Sequence, residues 1–527
     1  MWVFVRCLYR YNLLFDRKME NTKPVGIDLG TTRSAIAHYA VDDVEVLFNN
    51  EGEPVTPSVV TIDEDGEDVT VGEAALNQAA LNPDRTIQEV KRKMGEDVEV
   101  TVGGESYKPE EISALILQKL VEDAKEKINT DINEAVVTVP AYFGENQRTA
   151  TENAGNIAGL DVKRLLPEPS AACLAYGFQK GKLDEDVSEN VFVYDLGGGT
   201  FDASLVDVDY ELNHVETLNT DGLNDVGGAD WTSVIGGWIT EQVIDAGGAD
   251  PNGNPQVRSQ VMQKAREIKH MLSSKESAQL AGIVGGVGVD AELTRDQFEE
   301  MSADLLEETF ETTDQLFERA DLDVDDVDKV LLVGGSTRMP QVRNGVEEYF
   351  GMEPSVELNP DRAVAQGAAI QAELLSDQAT GVTDEIVGID DGLVLVDVVP
   401  RSLGVRLHDG RTSHIIESDD EIPTVVRRED FRTVEDNQTA VEFPILEGES
   451  EDADDNDKIG DIRLDDIPPR SSNEDSLAIE FELTSDGTLQ IEAEDLKSGE
   501  AVNATFESAI SRDEEEISKS QAELPDM

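Results

Sequence analysis

The sequence predicts an α/β domain that is followed by an all-β domain, and three observations support this fold class. Short apolar runs alternate with helical patterns between residues 24 and 376. Near residue 376 the chain becomes polar and acidic, which marks a boundary. From Pro400 to about residue 507 the chain consists of short alternating strands and turns, without the pattern of a long helix.

In the first domain, short apolar runs that end in Gly or Pro predict buried strands. They lie at residues 134–140, 191–194 and 329–333. A helix is predicted from Pro109, because proline and acidic residues are favourable in a first helical turn. Its apolar residues then fall on one face: Ile112, Leu115, Ile116 and Leu120.

In the second domain, alternating apolar and polar residues predict strands at residues 440–446, 477–483 and 489–493. The turn at residues 485–488 is expected to join the last two strands into a hairpin. A final helix is predicted to begin near Ser511, whose side chain is suited to an N-cap.

The charge of the chain limits its partners. Its 527 residues include 113 acidic and 42 basic residues, and the net charge is -71. Such an excess repels phosphate backbones and anionic lipids, so nucleic acids and membranes are not expected partners. The apolar content of 39% suffices for hydrophobic cores, which argues against disorder. We therefore interpret the charge as adaptation to very high salt, where carboxylate repulsion is screened. An acidic protein from a low-salt host is the alternative.

The cysteines, Cys7 and Cys173, form neither a disulfide framework nor a metal-ligand spacing, which favours a reducing cytoplasm. No apolar run reaches the length of a membrane span. Residues 1–23 are interpreted as an N-terminal extension. Its residues 1–18 are interpreted as a product of start-codon choice, since Met19 lies just before the first strand; a membrane anchor is the alternative.

A phosphate-gripping turn occurs twice in the first domain, at residues 25–32 and 193–202. In each copy an apolar strand leads into Asp, then Gly, then Thr. Glycine allows backbone N–H groups to turn toward an anion, and threonine adds a hydroxyl donor. The aspartates at the two strand ends, Asp28 and Asp195, are suited to a hydrated divalent metal ion. Two such turns predict a nucleotide that is clamped between two related lobes.

Six motifs follow one another in the order and spacing of one family: residues 26–32, 139–143, 168–172, 195–202, 332–338 and 359–365. On these motifs the chain resembles a DnaK-type chaperone of the heat shock protein 70 family over about residues 24–520. The resemblance implies a two-lobed, actin-like (ribonuclease H-like, duplicated) ATPase domain and an all-β sandwich peptide-binding domain. The implied boundaries are residues 24–376 for the ATPase domain, 377–399 for an acidic segment and apolar linker, 400–507 for the β sandwich and 508–527 for a truncated lid helix.

The resemblance implies ATP and ADP as ligands and Mg²⁺ as the metal cofactor. Hydrolysis requires phosphate charge to be neutralised and a water molecule to be aligned. The implied catalytic residues are Lys91, Glu168, Asp195 and Thr200. The implied metal-binding residues are Asp28 and Asp195, through water, with Asp202 as a candidate ligand for a monovalent cation such as K⁺.

Further residues match nucleotide-contact positions of the family. They are Gly30, Thr31, Thr32, Gly197, Gly198, Gly199, Gly227, Gly228, Lys269, Ser273, Gly334, Gly335, Ser336, Arg338 and Asp361. Three residues depart from the family pattern. Arg266 stands where glutamate is usual, and His270 where arginine or an apolar residue is common. Arg33 stands where tyrosine or asparagine is usual, and we expect it to tighten phosphate binding unless it points to solvent.

The resemblance also implies residues for coupling and peptide binding. The coupling residues are Pro140, Arg148, Leu393, Leu395 and Asp397. The peptide-binding residues are Val405, His408, Phe431, Val434, Val441 and Phe443. His408 and Val434 stand where a bacterial family member has methionine and alanine, and the polar His408 is expected to weaken the arch over the peptide. Since only the first part of the helical lid is present, fast peptide exchange is expected.

The sequence therefore predicts an ATP-driven chaperone that binds short, extended, apolar segments of unfolded proteins. The resemblance implies a J-domain cochaperone and a nucleotide exchange factor as partners. One alternative is a DnaK-like regulatory or binding protein that hydrolyses ATP but does not fold clients; the shortened lid and His408 favour it. A second alternative is a sugar kinase of the same fold, against which the β domain and the linker count.

Overall fold

The structure is a computed structural model. It describes residues 22–40, 43–63, 66, 68–102, 105–180, 188–209, 214–355, 357–376, 394–472, 476–484, 489–505, 512 and 514–525. Several predicted features lie outside these residues: Cys7 and the rest of residues 1–21, Leu393, the turn at 485–488 and Ser511. We call residues 22–376 the α/β part, residues 394–398 the linker strand and residues 399–505 the β part.

The helices of the described residues lie almost entirely in the α/β part. They are α1 Glu73–Gln78, α2 Pro109–Ile128, α3 Glu145–Ile157, α4 Glu168–Lys180, α5 Gly228–Asp245, α6 Pro255–Leu272, α7 Arg295–Met301, α8 Ala303–Ala320, α9 Pro340–Phe350, α10 Ala363–Leu375 and α11 Glu514–Glu523. Helix α2 begins at Pro109 as predicted, and its predicted apolar face is buried. Two 3₁₀ turns also matter for the site, at Val90–Lys93 and Gly335–Arg338.

The strands up to the linker are β1 Val25–Asp28, β2 Arg33–Ala40, β3 Asp43–Val46, β4 Thr56–Pro57, β5 Val59–Ile62, β6 Val69–Val71, β7 Thr86–Gln88, β8 Val100–Val102, β9 Glu105–Tyr107, β10 Glu134–Val139, β11 Asp161–Pro167, β12 Ser188–Leu196, β13 Phe201–Asp209, β14 His214–Leu223, β15 Ser277–Val284, β16 Val287–Thr294, β17 Lys329–Val333 and β18 Val394–Val398. The strands predicted at 134–140, 191–194 and 329–333 correspond to β10, to part of β12 and to β17.

Two large mixed sheets repeat one pairing pattern. In the first sheet the order is β11-β10-β1-β2-β3, with β4 beside β2. In the second it is β17-β12-β13-β14-β18-β21, where β21 is the short strand Glu421–Ile422. Strand β1 pairs antiparallel with β2 and parallel with β10. In the same way, β12 pairs antiparallel with β13 and parallel with β17. Smaller sheets join β6-β5-β7, β8-β9 and β15-β16.

The β part contains two four-stranded antiparallel sheets. The strands of the β part are β19 Leu403–Arg406, β20 Thr412–Ile416, β21 Glu421–Ile422, β22 Thr424–Phe431, β23 Val441–Glu447, β24 Asp457–Leu464, β25 Leu477–Leu483, β26 Leu489–Asp495 and β27 Glu500–Thr505. The sheet orders are β20-β19-β23-β24 and β22-β25-β26-β27, while β21 pairs with β18. Buried residues of both sheets share one apolar cluster, so the sheets pack face to face.

The α/β part has separate apolar cores. One contains β1 and helix α2, and another contains β12 and helices α5 and α6. The mixed α/β class and the all-β class predicted for the two parts are therefore confirmed. Among the described residues, no helix combines the length and apolar character that a membrane span requires. Cys173 is buried in the chain interior.

Candidate functional site

The two predicted glycine turns lie against each other. The first turn (residues 29–32) connects β1 to β2, and the second turn (residues 197–200) connects β12 to β13. A Cβ atom added to Gly199 would lie 2.5 Å from Thr31 Cγ2, and one added to Gly198 would overlap the side chain of Thr32. A Cβ atom on Gly227 would lie 2.5 Å from the backbone N of Gly199. Only glycine leaves these backbones free to approach, so the predicted residues form one cradle.

A second group of predicted residues converges on the same cradle from helices α5 and α6 and from the 3₁₀ turn Gly335–Arg338. Ser336 Oγ donates a hydrogen bond of 2.7 Å to the carbonyl oxygen of Gly197. Lys269 donates from Nζ to the carbonyl oxygen of Gly228. Ser273, at the C-terminal end of α6, donates to the carbonyl oxygen of Lys269 at 3.1 Å, so it faces its own helix.

The remaining predicted contacts lie beside the end of β12. Gly334 has φ of 81°, and a Cβ atom there would lie 2.6 Å from Asp195 Oδ1, so a side chain is excluded on both grounds. Arg338 donates from Nε to Asp361 Oδ2 at 3.0 Å. A Cβ atom on Gly335 would lie 2.9 Å from Asp361 Oδ1, which puts Asp361 next to the 3₁₀ turn. Gly30 of the first turn accepts a hydrogen bond of 2.7 Å from Ser58 Oγ.

Lys91 and Glu168 form a buried ion pair. Lys91 lies in the 3₁₀ turn Val90–Lys93 and Glu168 opens α4 directly after β11. Lys91 Nζ lies 2.8 Å from Glu168 Oε1, and the exposed fractions of the two side chains are 5% and 10%. The ammonium also lies 5.5 Å from the centroid of the Phe143 ring. A buried ammonium group is stable only beside a group of opposite charge, and Glu168 also fixes the position of Lys91.

Three buried carboxylates accompany this pair. Burial, together with the charge of Glu168, raises the pKa of Asp28 to about 7. The same two causes raise the pKa of Asp202 to about 7 and that of Asp195 well above its usual value. Asp202 also accepts hydrogen bonds from the backbone of Tyr142, at 3.4 Å, and from Thr200. Such mutual repulsion creates a site for cationic charge.

The carboxylates are not arranged as direct ligands of one ion. Within the ranges that the structure describes, no three His, Cys, Asp or Glu side chains are close enough together to hold a metal ion. Mg²⁺ usually keeps several water molecules and binds proteins through one or two carboxylates. The chemistry of these buried carboxylates fits a hydrated divalent ion, and the metal site stays a prediction.

Two of the three residues that depart from the family pattern, Arg33 and Arg266, form a cationic wall with Lys269. Arg266 donates from Nη2 to Gln88 Oε1 at 3.2 Å, which joins α6 to β7. Burial, with the nearby charge of Arg266, lowers the pKa of Lys269 to about 7. Burial, then the charges of Lys269, Arg33 and Arg266, lowers the pKa of His270 to about 4. The charge of Arg33 acts on both Lys269 and His270, so Arg33 belongs to this wall, although it is exposed.

The predicted linker is a strand of the second large sheet. Strand β18 pairs parallel with β14 and antiparallel with β21 of the β part. Asp397 on β18 accepts hydrogen bonds from Ser170 Oγ at 3.0 Å and from Arg164 Nη2 at 3.2 Å. Leu395 packs against the apolar cluster that contains β12 and α4. The linker thus contacts both parts of the chain.

The other two coupling residues lie where α3 begins. Pro140 follows β10, and its carbonyl oxygen accepts from the backbone N–H of Phe143 at 3.2 Å. The charge of Arg148 acts on Glu145 of α3 and on Glu447 of the β part.

The predicted peptide-binding residues fall into two groups. Val405, Phe431, Val441 and Phe443 are buried in the core of the β part, and the rings of Phe431 and Phe443 are 5.9 Å apart. The two predicted arch residues are exposed instead. His408 lies in the turn between β19 and β20, and Val434 lies between β22 and β23 with an exposed fraction of 49%.

Comparison with known proteins decides the family. The family model described as Hsp70 protein matches residues 24–102 and 96–526. The chain belongs to the Hsp70 family. The chaperone protein DnaK of two strains of Halobacterium salinarum is 43% identical over 510 residues, which cover 95% of this chain and 78% of that protein. The chaperone protein DnaK of Thermosipho melanesiensis is 41% identical over 503 residues, which cover 94% of this chain and 82% of that protein.

As a member of the Hsp70 family, the chain is an ATPase and an ATP-dependent molecular chaperone. The predicted resemblance to a DnaK-type chaperone and the predicted activity are confirmed. The match over almost the whole chain, including the β part, favours the chaperone over the sugar kinase.

One contact of this Hsp70 cleft was missed by the sequence reasoning. Arg92 follows Lys91, and its Nη2 donates to Asp230 Oδ2 at 2.6 Å and to the carbonyl oxygen of Gly199 at 3.0 Å. Its Nε is buried without a hydrogen-bond partner. Arg92 thus joins the first half of the α/β part to the second turn. Its position next to a predicted catalytic lysine was the only available signal.

The contacts between the two parts were also missed. Glu447 of β23 accepts hydrogen bonds from the backbone of Glu145 in α3, 302 residues earlier in the chain. Arg319 of α8 lies 3.7 Å from Asp419 of the β part. No local pattern in the sequence indicates such pairs, because neither partner belongs to a motif.

Proposed function

We propose that the two large sheets are the two lobes of an actin-like ATPase domain at residues 24–376, and that ATP binds in the cradle between them. The repeated strand pairing of β1 and β12 supports a duplicated fold. The facing glycine turns support a phosphate site at the junction of the lobes. The proposed domain limits that follow are residues 377–399 for the acidic segment and linker, 400–507 for a peptide-binding β sandwich and 508–527 for a lid helix.

In this proposal the residues around the Lys91–Glu168 pair carry out hydrolysis. Lys91 neutralises charge on the terminal phosphate and orients the attacking water, and Glu168 fixes the position of Lys91. Thr200 donates its hydroxyl to the same phosphate. The buried pair, held at 2.8 Å, supports these roles because it requires no reorganisation during the reaction.

We propose that Asp28 and Asp195 hold a hydrated Mg²⁺ ion, with Asp202 as the ligand of a monovalent cation. When bound, Mg²⁺ supplies charge neutralisation to the phosphates. The raised pKa values of Asp28 and Asp202, both about 7, support the assignment, since they mark a site that repels anions until a cation enters.

The adenosine side is assigned to the second half of the α/β part. Lys269, Gly228 and Ser336 lie together beside the second turn, which supports their role in nucleotide binding. Arg338 and Asp361 form an ion pair next to them. The cationic wall of Arg33, Arg266 and Lys269 adds positive charge that is expected to strengthen binding of a polyanionic nucleotide.

The proposed function is control of peptide binding in the β sandwich by the nucleotide state of the cleft. One observation carries it: the linker strand β18 pairs with β14, in the sheet of the second turn, and with β21 of the β part. A change at the second turn can therefore reach the β part through a continuous sheet. ATP is proposed to stabilise this docked arrangement, and hydrolysis to release it.

The binding partners of the chain and its cellular environment are proposed from its family membership. The chain is expected to bind extended apolar segments of unfolded proteins, to work with a J-domain cochaperone and a nucleotide exchange factor, and to act in the cytoplasm. The net charge of -71, together with relatives from Halobacterium salinarum, supports a high-salt host.

Equilibrium binding of a fluorescently labelled apolar heptapeptide tests the proposal against the regulatory alternative. Anisotropy is measured in high salt with ADP and without nucleotide, and a polar heptapeptide of equal charge is the control. Saturable binding of the apolar peptide alone is expected. Absence of binding in both states would favour a regulatory protein that does not bind clients.

A further inference from the structure

The carboxylate of Glu447 is buried where the β part meets the α/β part. It ends strand β23, and the exposed fraction of its side chain is 5%. Both of its oxygens accept the backbone N–H of Glu145, Oε1 at 3.0 Å and Oε2 at 3.2 Å. Glu145 is the first residue of helix α3, so a side chain of one part caps a helix of the other. A carboxylate is favourable there because the first N–H groups of a helix lack partners and carry positive charge.

Gly144 provides the space for this contact. Its φ of -74° is open to any residue, so the backbone conformation does not require glycine. A Cβ atom at this position would overlap Oε2 of Glu447 and would lie 2.8 Å from its Cδ. The glycine is therefore matched to the carboxylate of the β part. Helix α3 alone gives no reason for a glycine at its N-cap when Ser, Thr or Asp would cap it better.

The charges around the contact do not balance. Arg401 Nη1 lies 3.7 Å from Glu447 Oε2 but donates a shorter hydrogen bond, 2.8 Å, to Asp457. The charge of Arg148 also acts on Glu447. Opposing these two cations are Glu145, Asp457 and, on α3, Glu152. The carboxylates of Glu145 and Glu447 therefore lie among more acidic than basic side chains, so their charges are not fully neutralised.

The contact is continuous with the linker. A cavity of about 50 Å³ is lined by Glu145, Arg148 and Glu447 and also by Asp397 and Arg164. Asp397 and Arg164 pair at 3.2 Å. The Glu447 contact and the linker contact are therefore two sides of one interface.

We propose that Glu447 is a positioning residue for interdomain coupling, which docks the β part on the N-terminus of α3 through the space left by Gly144. The inference rests on the proposed coupling through β18 and adds a second docking point to it. Neither residue touches the nucleotide cradle.

The carboxylates of Glu145 and Glu447 make docking of the two parts depend on pH. Burial, and then the charge of Glu447, raises the pKa of Glu145 to about 7 in the docked form. Burial also raises the pKa of Glu447. When the parts separate, both carboxylates return toward the ordinary value of 4.5. The docked form therefore binds more protons, and docking weakens as pH rises from about 5 to about 7. Between pH 6 and pH 8 the docking equilibrium is expected to fall about tenfold.

Hydrogen exchange of the full-length protein tests the inference. The measured quantity is the protection factor of the amides in β18, residues 394–398, with ATP and with ADP at pH 6 and pH 8. The variants are Gly144→Ala and Glu145→Gln. Gly237→Ala is the matched control, because Gly237 lies in helix α5 and a Cβ atom there meets nothing within 4 Å.

In the wild type, ATP should protect β18, and the protection should fall about tenfold between pH 6 and pH 8. Gly144→Ala should reduce the protection in ATP to the level in ADP, while Gly237→Ala should not. Glu145→Gln removes the carboxylate whose pKa burial raises to about 7 and keeps the backbone N–H that Glu447 accepts, so it should keep the protection and flatten its pH dependence. Calorimetric melting confirms that the variants fold.

Two contrary results are distinguishable. A wild type without any effect of ATP on β18 would overturn both this inference and the proposed coupling. An effect of ATP in the wild type that Gly144→Ala leaves intact, or an unchanged pH profile in Glu145→Gln, would overturn the inference alone. If Gly144→Ala does not fold, the pH profile of Glu145→Gln decides.

Discussion

Lys91 Nζ donates a hydrogen bond of 2.8 Å to Glu168 Oε1, and the two residues are 77 positions apart in the chain. The pair brings the 3₁₀ turn Val90–Lys93 to the start of helix α4, beside the carboxylates of Asp28 and Asp195. The charge of Lys91 opposes the raised pKa values of Asp28 and Asp195. The proposed hydrolysis depends on it.

Replacing Lys91 should abolish most of the turnover without preventing ATP binding. Lys91→Ala is expected to lower kcat about 10²–10³-fold, because one preorganised charge at the reacting phosphate is lost. Single-turnover hydrolysis and calorimetric titration with ATP give the two quantities. Lys93→Ala is the control, since Lys93 lies in the same 3₁₀ turn but is exposed. A near-normal rate in Lys91→Ala would refute the proposed role.

Removing one buried acid should stabilise the empty protein at high pH. The pKa of Asp202 in the folded chain, about 7, exceeds the value of 3.8 for a free aspartate. The folded state therefore loses stability as pH rises from about 4 to about 7. Asp202→Asn should escape this penalty and raise the free energy of unfolding by about 1–3 kcal/mol at pH 8, with little effect at pH 4.

Calorimetric melting in EDTA at the two pH values measures this effect. Asp225→Asn, which changes an exposed carboxylate, is the control. A melting temperature of Asp202→Asn below that of the wild type at pH 8 would contradict the prediction.

Nucleotide binding should take up a proton at Lys269. In the empty chain, burial and the charge of Arg266 lower the pKa of Lys269 to about 7, so the amine is mostly neutral at pH 8. A bound phosphate favours the charged form and raises this pKa. Titration with ATP at pH 8 in buffers of different ionisation enthalpy should reveal uptake of up to about one proton. Lys269→Arg, always charged, should remove it, and heats that do not depend on the buffer in the wild type would exclude the effect.

Arg92 and Asp230 should act as one unit in nucleotide affinity. Their 2.6 Å contact joins the two halves of the α/β part, and the side chains are only 23% and 27% exposed. Arg92→Ala or Asp230→Asn should each raise the Kd for ATP about tenfold, and the double variant should be little worse than either. Additive losses in this double-mutant cycle would show that the contact does not hold the cleft.

Much of the fold could be predicted because its elements are set by local patterns. Strand β17 has the predicted bounds Lys329–Val333, and α2 begins at the predicted Pro109. Both follow from short-range rules of strand burial and helix N-termini. The last helix was expected near Ser511 and is described from Glu514. The predicted cradle residues also meet, although β1 and β12 belong to different sheets, so the repeated turn motif and not the neighbourhood of the strands indicated the cradle.

The rest depends on contacts between distant residues. Asp397 was predicted as a coupling residue, but its partners Arg164 and Ser170 lie more than 220 positions away in the chain. Neither partner was among the predicted coupling residues. In the sequence, Glu447 is an ordinary residue at the end of a strand. Its contacts with Gly144 and with the backbone of Glu145 are what indicate a role. Long-range packing of this kind has no periodic signal in one sequence.

The nucleotide in the cleft is proposed to control the peptide site through β18. The most direct measurement is the dissociation rate of a labelled apolar heptapeptide after mixing with excess ATP or ADP. Dissociation in the wild type should be at least about tenfold faster with ATP, and Asp397→Ala should lose most of this difference. Equal dissociation rates of the wild type in ATP and ADP would contradict the account.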